Sequence, residues 1–193
     1  PMKLEAAQYK AAALRQLLQP FCDRIEVAGS IRRGKPEPQD IELVIIPKQQ
    51  PTDMFGLYQR HHEGIATACS RYKLIRGSLI DGKAVRLEMI DGTGVDLFFC
   101  TPRNWGYIMV LRTGSDRFNM ALIERIKGNG YICKEGAIWH KGSPLQTPEE
   151  ADVFRRVCLN FIHPTVRILL VPPTPKYPPC HATTAHPSPS STT

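Results

Sequence analysis

Two short apolar runs interrupted by acids, the first led in by a glycine-serine turn, constrain this chain more than any other feature. Gly29-Ser30-Ile31-Arg32-Arg33-Gly34 follows a short strand expected over Arg24–Ala28. Asp40-Ile41-Glu42-Leu43-Val44-Ile45 comes next, and a third acid, Asp96, interrupts Val95-Asp96-Leu97-Phe98-Phe99. Side chains alternate along a strand, so Asp40, Glu42 and Val44 share one face while Ile41, Leu43 and Ile45 share the other. In the later strand Asp96 shares its face with Phe98. A single antiparallel pairing of the two strands is expected to bring Asp96 beside Asp40 and Glu42.

These residue types point to one chemistry. Gly29 lets the backbone approach a phosphate closely, and Ser30 offers a hydroxyl and an amide at the turn. Of the two arginines, one is expected to fork onto phosphate oxygens while the other faces solvent. Magnesium takes hard oxygen ligands, so two or three carboxylates plus substrate phosphates suffice to hold it. Two such ions activate an attacking hydroxyl and neutralise a leaving pyrophosphate. A second glycine turn, Arg112-Thr113-Gly114-Ser115-Asp116-Arg117-Phe118-Asn119, feeds a helix N-terminus, where amides and the helix dipole favour anions.

The remaining elements follow from periodicity and turn chemistry. Residues 3–19 read as an amphipathic helix with Leu4, Ala7, Ala11, Leu14 and Leu18 along one stripe, ended by Pro20. Thr52–Cys69 reads as a helix weakened by Gly56 and Gly64, with the His61-His62 pair on its exposed surface. Three strands are expected near 72–80, 84–90 and 94–100, joined at Asp81-Gly82 and Asp91-Gly92. Phe118, Leu122 and Ile126 mark a helix from Ser115-Asp116 to Gly128. A short β segment over 131–139 follows, then a helix opened by Thr147 as cap with Pro148 at its first position. Trp105 and Tyr107 read as core. The fold class is α/β (α+β), a mixed sheet with helices on one face and a small C-terminal α/β subdomain. The expected division is 1–102, 103–167, and a Pro/Ser/Thr-rich tail over 168–193.

The net charge of +7 belongs almost wholly to residues 1–167, since 168–193 hold a single Lys and no Arg or acid. A basic surface favours a polyanion such as nucleic acid. Arg71, Lys73, Arg76, Lys83 and Arg86 on the hairpin strands, with Lys127, Lys134 and Lys141, read equally as a DNA-tracking set or as solvated faces. The six cysteines, at 22, 69, 100, 133, 158 and 180, form no CxxC pair and read as reduced, mostly buried thiols. No apolar run approaches the ~18 residues of a membrane span, and no leader pattern is seen, so a soluble intracellular monomer without membrane contact is expected.

Over roughly residues 8–167 the chain resembles the family X DNA polymerases, the group of DNA polymerase beta and terminal transferase within the nucleotidyltransferase superfamily. The resemblance rests on the Gly29–Gly34 turn, Asp40-Ile41-Glu42, Val95-Asp96-Leu97, the Thr113–Asn119 run and the Glu149–Arg167 segment, in that order and spacing. It implies a palm that binds two magnesium ions (manganese as the alternative) through Asp40, Glu42 and Asp96, with Asp96 helping to activate the primer 3′-hydroxyl. It implies that Ser30 and Arg33, at the Gly29 turn, hold the triphosphate. Gly114 and Ser115 then lie under the sugar, and Asp116 and Asn119 beside the incoming base. The implied activity is DNA-directed DNA synthesis from a nucleoside triphosphate on primer-template or gapped DNA, as in gap filling during DNA repair. Terminal transfer, nucleotidyl transfer to a small molecule or protein, and non-catalytic DNA-end binding are the alternatives.

Four departures from the family pattern stand out. The second ligand is Glu42 rather than Asp. Leu111-Arg112 stands where aromatics usually precede Thr-Gly-Ser, so exclusion of ribonucleotides is not implied. No Arg immediately precedes Asp96, where Gly94 and Val95 stand. Only the residues before Gly29 could correspond to the family's lyase and helix-hairpin-helix parts, so the resemblance is to the minimal palm-plus-C-terminal form of some viral members, and lyase activity is not implied.

Overall fold

The computed structural model describes residues 1–51, 54 and 59–168. Helix α1, Leu4–Leu18, buries Ala7, Ala11, Leu14 and Leu18, one residue per turn, and gives way to a 3-10 turn holding Pro20, which cannot continue an α-helix. Strand β1 (Cys22–Val27) leads through a single helical turn, α2 (Gly29–Arg32), to β2 (Asp40–Pro47). Next come a two-stranded ribbon, β3 (Gln49–Pro51) with β4 (Gln59–His61), and helix α3 (Glu63–Cys69). Strands β5 (Lys73–Arg76), β6 (Ala84–Glu88) and β7 (Gly94–Phe99) complete the first part. The long helix expected over 52–69 is therefore shorter. His62 caps α3 by accepting the Gly64 amide at 3.0 Å, and His61 lies in the ribbon, stacked on Phe99 and 2.9 Å from the Gly82 carbonyl. Residues 52–53 and 55–58 of that expected helix lie outside the described residues.

The five-stranded sheet has the order β1-β2-β7-β6-β5. β2 and β7 pair parallel, not antiparallel as expected, while the other neighbours pair antiparallel. The β5–β6–β7 meander brings β7 back along the direction of β2, which a reading limited to two isolated strands does not anticipate. Ile41, Leu43, Ile45, Val85, Leu87, Val95 and Leu97 bury one sheet face under α1 and α3. The opposite face carries the acids.

Helix α4, Trp105–Thr113, packs on the far end of that opposite face, where Trp105 and Met109 join Ala28, Val44, Ile46 and Cys100 in a small core. Helix α5 (Asp116–Gly128) starts at Ser115, whose hydroxyl accepts the Phe118 amide. Strands β8 (Ile132–Lys134), β9 (Ala137–His140) and β10 (Ser143–Pro144) form a second small sheet, and α6 spans Glu150–Arg156. Phe118, Leu122, Ile126, Ile138, Val153 and Phe154 close a third core. The cap of α6 is Glu149, in a reciprocal box with Asp152, rather than Thr147. Thr147 is instead fully buried, its amide donating to the Arg103 carbonyl and its carbonyl accepting from Gly106. Phe161 lies beyond α6 and is half-exposed. Cys22, Cys69, Cys100 and Cys133 are free, whereas Cys158 is disulfide-bonded, against the expectation of reduced thiols; nothing in the cysteine spacing marks it. The tail expected over 168–193 lies, from residue 169 on, outside the described residues.

Candidate active site

The parallel register sets Glu42 of β2 directly opposite Asp96 of β7, and Asp40 opposite Gly94. Asp40, Glu42 and Asp96 thus emerge on one face of two adjacent strands, beside the open end of α4. On its other side Glu42 meets α2. Gly29 has φ +63°, and a Cβ there would lie 1.6 Å from Glu42 Oε2, so the carboxyl occupies the space a side chain would need. This is the one position in the turn where glycine is demanded twice, by backbone conformation and by close approach. Ser30 follows, nearly buried.

Burial, then the charges of Asp40 and Asp96, push the Glu42 carboxyl up to about 7, while Arg33 and Arg112 pull it down. Asp96 is also raised by burial, against the opposing charge of Arg86. Three carboxylates packed this closely want a cation. Here one is supplied by the protein: Arg86 Nη1, reaching over from β6, donates to Asp40 Oδ2 at 3.0 Å and to Asp96 Oδ2. With that guanidinium between two of the acids, and the third packed on Gly29, no three His, Cys or acidic side chains among the described residues are gathered as a metal cage. The donor set itself is of hard oxygens only and already holds a positive group, which suits a divalent cation.

The arginines of the first turn divide differently from expectation. Arg32, expected either on phosphate or in solvent, forks onto Glu150 at 2.8 and 2.7 Å and also donates to Thr113 Oγ1. Glu150 in turn accepts from the fully buried Arg167 at 2.5 Å. Arg33 lies on the site side: its Nη1 donates to the Thr113 carbonyl at 2.6 Å, and its Nε is buried with no protein partner. The Thr113–Ser115 turn is thereby tied to α2 from both arginines.

Gly114 is crowded by Asn119 and Phe118, either of which a Cβ would strike. Asn119 donates to the Leu111 carbonyl at 2.7 Å and braces the turn, leaving its Oδ1 buried and unpartnered. Ser115 serves as the α5 cap, and Asp116, at the first helical position, is exposed. Arg112 stacks over Phe98 at 4.0 Å and faces the acids. Two participants escaped the sequence reading as site residues, Arg86 and Arg112. Arg86 was legible only as one of several basic hairpin residues; Gly94, which opens β7, is the local sign that something passes close to that strand.

The fold is of the DNA polymerase beta type. The family model of the DNA polymerase beta thumb matches residues 108–168. Two solved structures of Leishmania infantum polymerase beta share the fold. The ternary P/T complex superimposes with a TM-score of 0.64 at 16% identity, covering 86% of this chain and 76% of that one. The ternary gap complex gives 0.66 at 14% identity, covering 86% and 70%. No curated protein sequence matches the chain. The chain is polymerase beta-like in fold, and its C-terminal part resembles the polymerase beta thumb. No helix among the described residues is long and apolar enough to cross a membrane.

Proposed function

We propose that this protein is a family X DNA polymerase, transferring a nucleotide from a nucleoside triphosphate to a DNA 3′-hydroxyl with release of pyrophosphate. Residues 1–102 form the palm in this reading and 103–167 the thumb. The observation that carries it is the parallel β2–β7 register, which sets Glu42 against Asp96 and Asp40 two residues away on the same face, next to the Gly29-Ser30 turn.

Asp40, Glu42 and Asp96 are the residues that hold magnesium or manganese. When bound, such ions supply Lewis-acid stabilisation of the reacting and leaving oxygens. The protein's own part is placement and charge. Asp96, opposite Glu42, would help to activate the primer 3′-hydroxyl. The Ser30 turn and Arg33 grip the triphosphate; the orphaned Arg33 Nε is a donor in search of an anion. Gly114 and Ser115 support the sugar, with Asp116 and Asn119 beside the base, the latter through the turn it braces. Such positioning and electrostatics are the main sources of phosphoryl-transfer catalysis. Filling short gaps during repair is the implied setting.

The test is extension of a labelled gapped duplex and of the matching single strand, with dNTPs or rNTPs, in magnesium or manganese. Template-matched addition to the gapped duplex supports the proposal. Addition to the single strand alone would make the protein a terminal transferase. No addition to any DNA would overturn the polymerase reading.

A further inference from the structure

The β6–β7 pairing sets Arg86 directly opposite Asp96, on the acid-bearing face. Its guanidinium does not point away to solvent. It lies along β7 over Gly94, so closely that a Cβ on that glycine would fall 2.3 Å from Arg86 Nη2. Gly94 is the residue that β2 presents Asp40 against, so the same path carries Arg86 across β7 to Asp40. One cationic nitrogen thus bridges acids from two different strands. The bare Gly94 is what makes the bridge possible.

We propose that Arg86 is a positioning residue that holds the Asp40–Asp96 pair in the metal-free protein by supplying the positive charge that a bound divalent cation would otherwise supply, and that Gly94 is the notch through which it reaches. The inference rests on the reading of Asp40, Glu42 and Asp96 as metal ligands. A divalent ion drawn to the same carboxylates competes with Arg86 for them, so the charge-assisted hydrogen bonds of Arg86 oppose metal binding. Together the two bonds are worth enough to shift an equilibrium about tenfold, allowing for partial solvent exposure of the guanidinium.

Gly94 offers a control that leaves the charge in place. Its backbone is not left-handed, and the atoms a methyl would strike belong to the far end of a flexible side chain, so Gly94→Ala folds while pushing Arg86 aside. The experiment is Mn2+ binding to metal-free protein, read from the electron paramagnetic resonance of free Mn2+, for the native chain, Arg86→Gln and Gly94→Ala. Thermal unfolding of each confirms that all three are folded. The expected result is about tenfold tighter Mn2+ binding in Arg86→Gln and a shift in the same direction in Gly94→Ala. Unchanged or weaker binding in both variants overturns the proposal. Tighter binding in Arg86→Gln with native affinity in Gly94→Ala also overturns it, because charge alone, not the bridge, would then be responsible. Absence of Mn2+ binding in all three overturns the metal-site reading itself.

Discussion

Replacing Glu150 by Gln removes the acid at the centre of the link between the two parts of the molecule. Glu150 accepts three hydrogen bonds, two from Arg32 of α2 and one from Arg167 near the end of the described chain. Arg167 is fully buried, packed over the rings of Phe154 and Phe161, and its Nη2 already lacks a partner. Gln keeps an acceptor but no charge, so a buried guanidinium is left uncompensated. Breaking a buried pair from one side costs roughly 3–5 kcal/mol. Against the 5–15 kcal/mol typical of a folded domain that is a large fraction. The sign of the pH dependence follows from the same contacts. Burial raises the Glu150 carboxyl, but the bonds from Arg32 and Arg167 more than offset it and hold it below the ordinary glutamate value. A depressed acid contributes stability above its unfolded pKa and loses it as pH falls. Urea unfolding at pH 7 and pH 4 reads both effects: Glu150→Gln loses roughly 3–5 kcal/mol at pH 7 and less at pH 4. A loss under about 1 kcal/mol at pH 7 would refute the reasoning, placing the trio among ordinary surface ion pairs.

Two further outcomes are expected. Gly29→Ala puts a methyl into the Glu42 carboxyl at a left-handed backbone position, and costs roughly 1–3 kcal/mol of stability together with most of the nucleotide transfer; a native urea midpoint would contradict it. Glu42 titrates near 7 instead of 4.5, so the metal-free folded state holds its proton longer than the unfolded chain. Stability therefore falls as pH rises from about 4.5 to 7, by roughly 2–3 kcal/mol at most. Calorimetry in chelator should show that slope in the native chain and not in Glu42→Gln.

The face shared by Asp40 and Glu42 was legible because strand alternation is local. The partner strand's direction was not, because parallel pairing depends on a meander of three strands that no window around residue 40 or 96 contains. Helix α1 announced itself through a one-sided stripe. Helix α4 did not, since Trp105, Gly106, Tyr107, Met109 and Val110 are all buried and leave little apolar periodicity to detect. Thr147-Pro148 looked like a helix start, yet the helix is capped two residues later by the reciprocal Glu149–Asp152 box. The Gly29 turn was readable as a place of close approach, but to a phosphate; in the structure Gly29 is packed against Glu42, and Gly114 against Phe118 and Asn119. What sequence could not assign was the division of labour among arginines. Arg32 and Arg33 are adjacent and chemically equivalent until α6 and the Thr113 turn are placed in space; Arg86 becomes special only once β6 lies opposite Asp96.

The most direct test of the account is single-nucleotide insertion into gapped DNA by the native chain and by Asp96→Asn, with DNA affinity measured in parallel. The account predicts that the substitution leaves DNA binding within about twofold and removes insertion by a factor on the order of a thousand or more, in magnesium and in manganese alike. Insertion by Asp96→Asn at the native rate would contradict the assignment of this carboxylate group as the reacting centre.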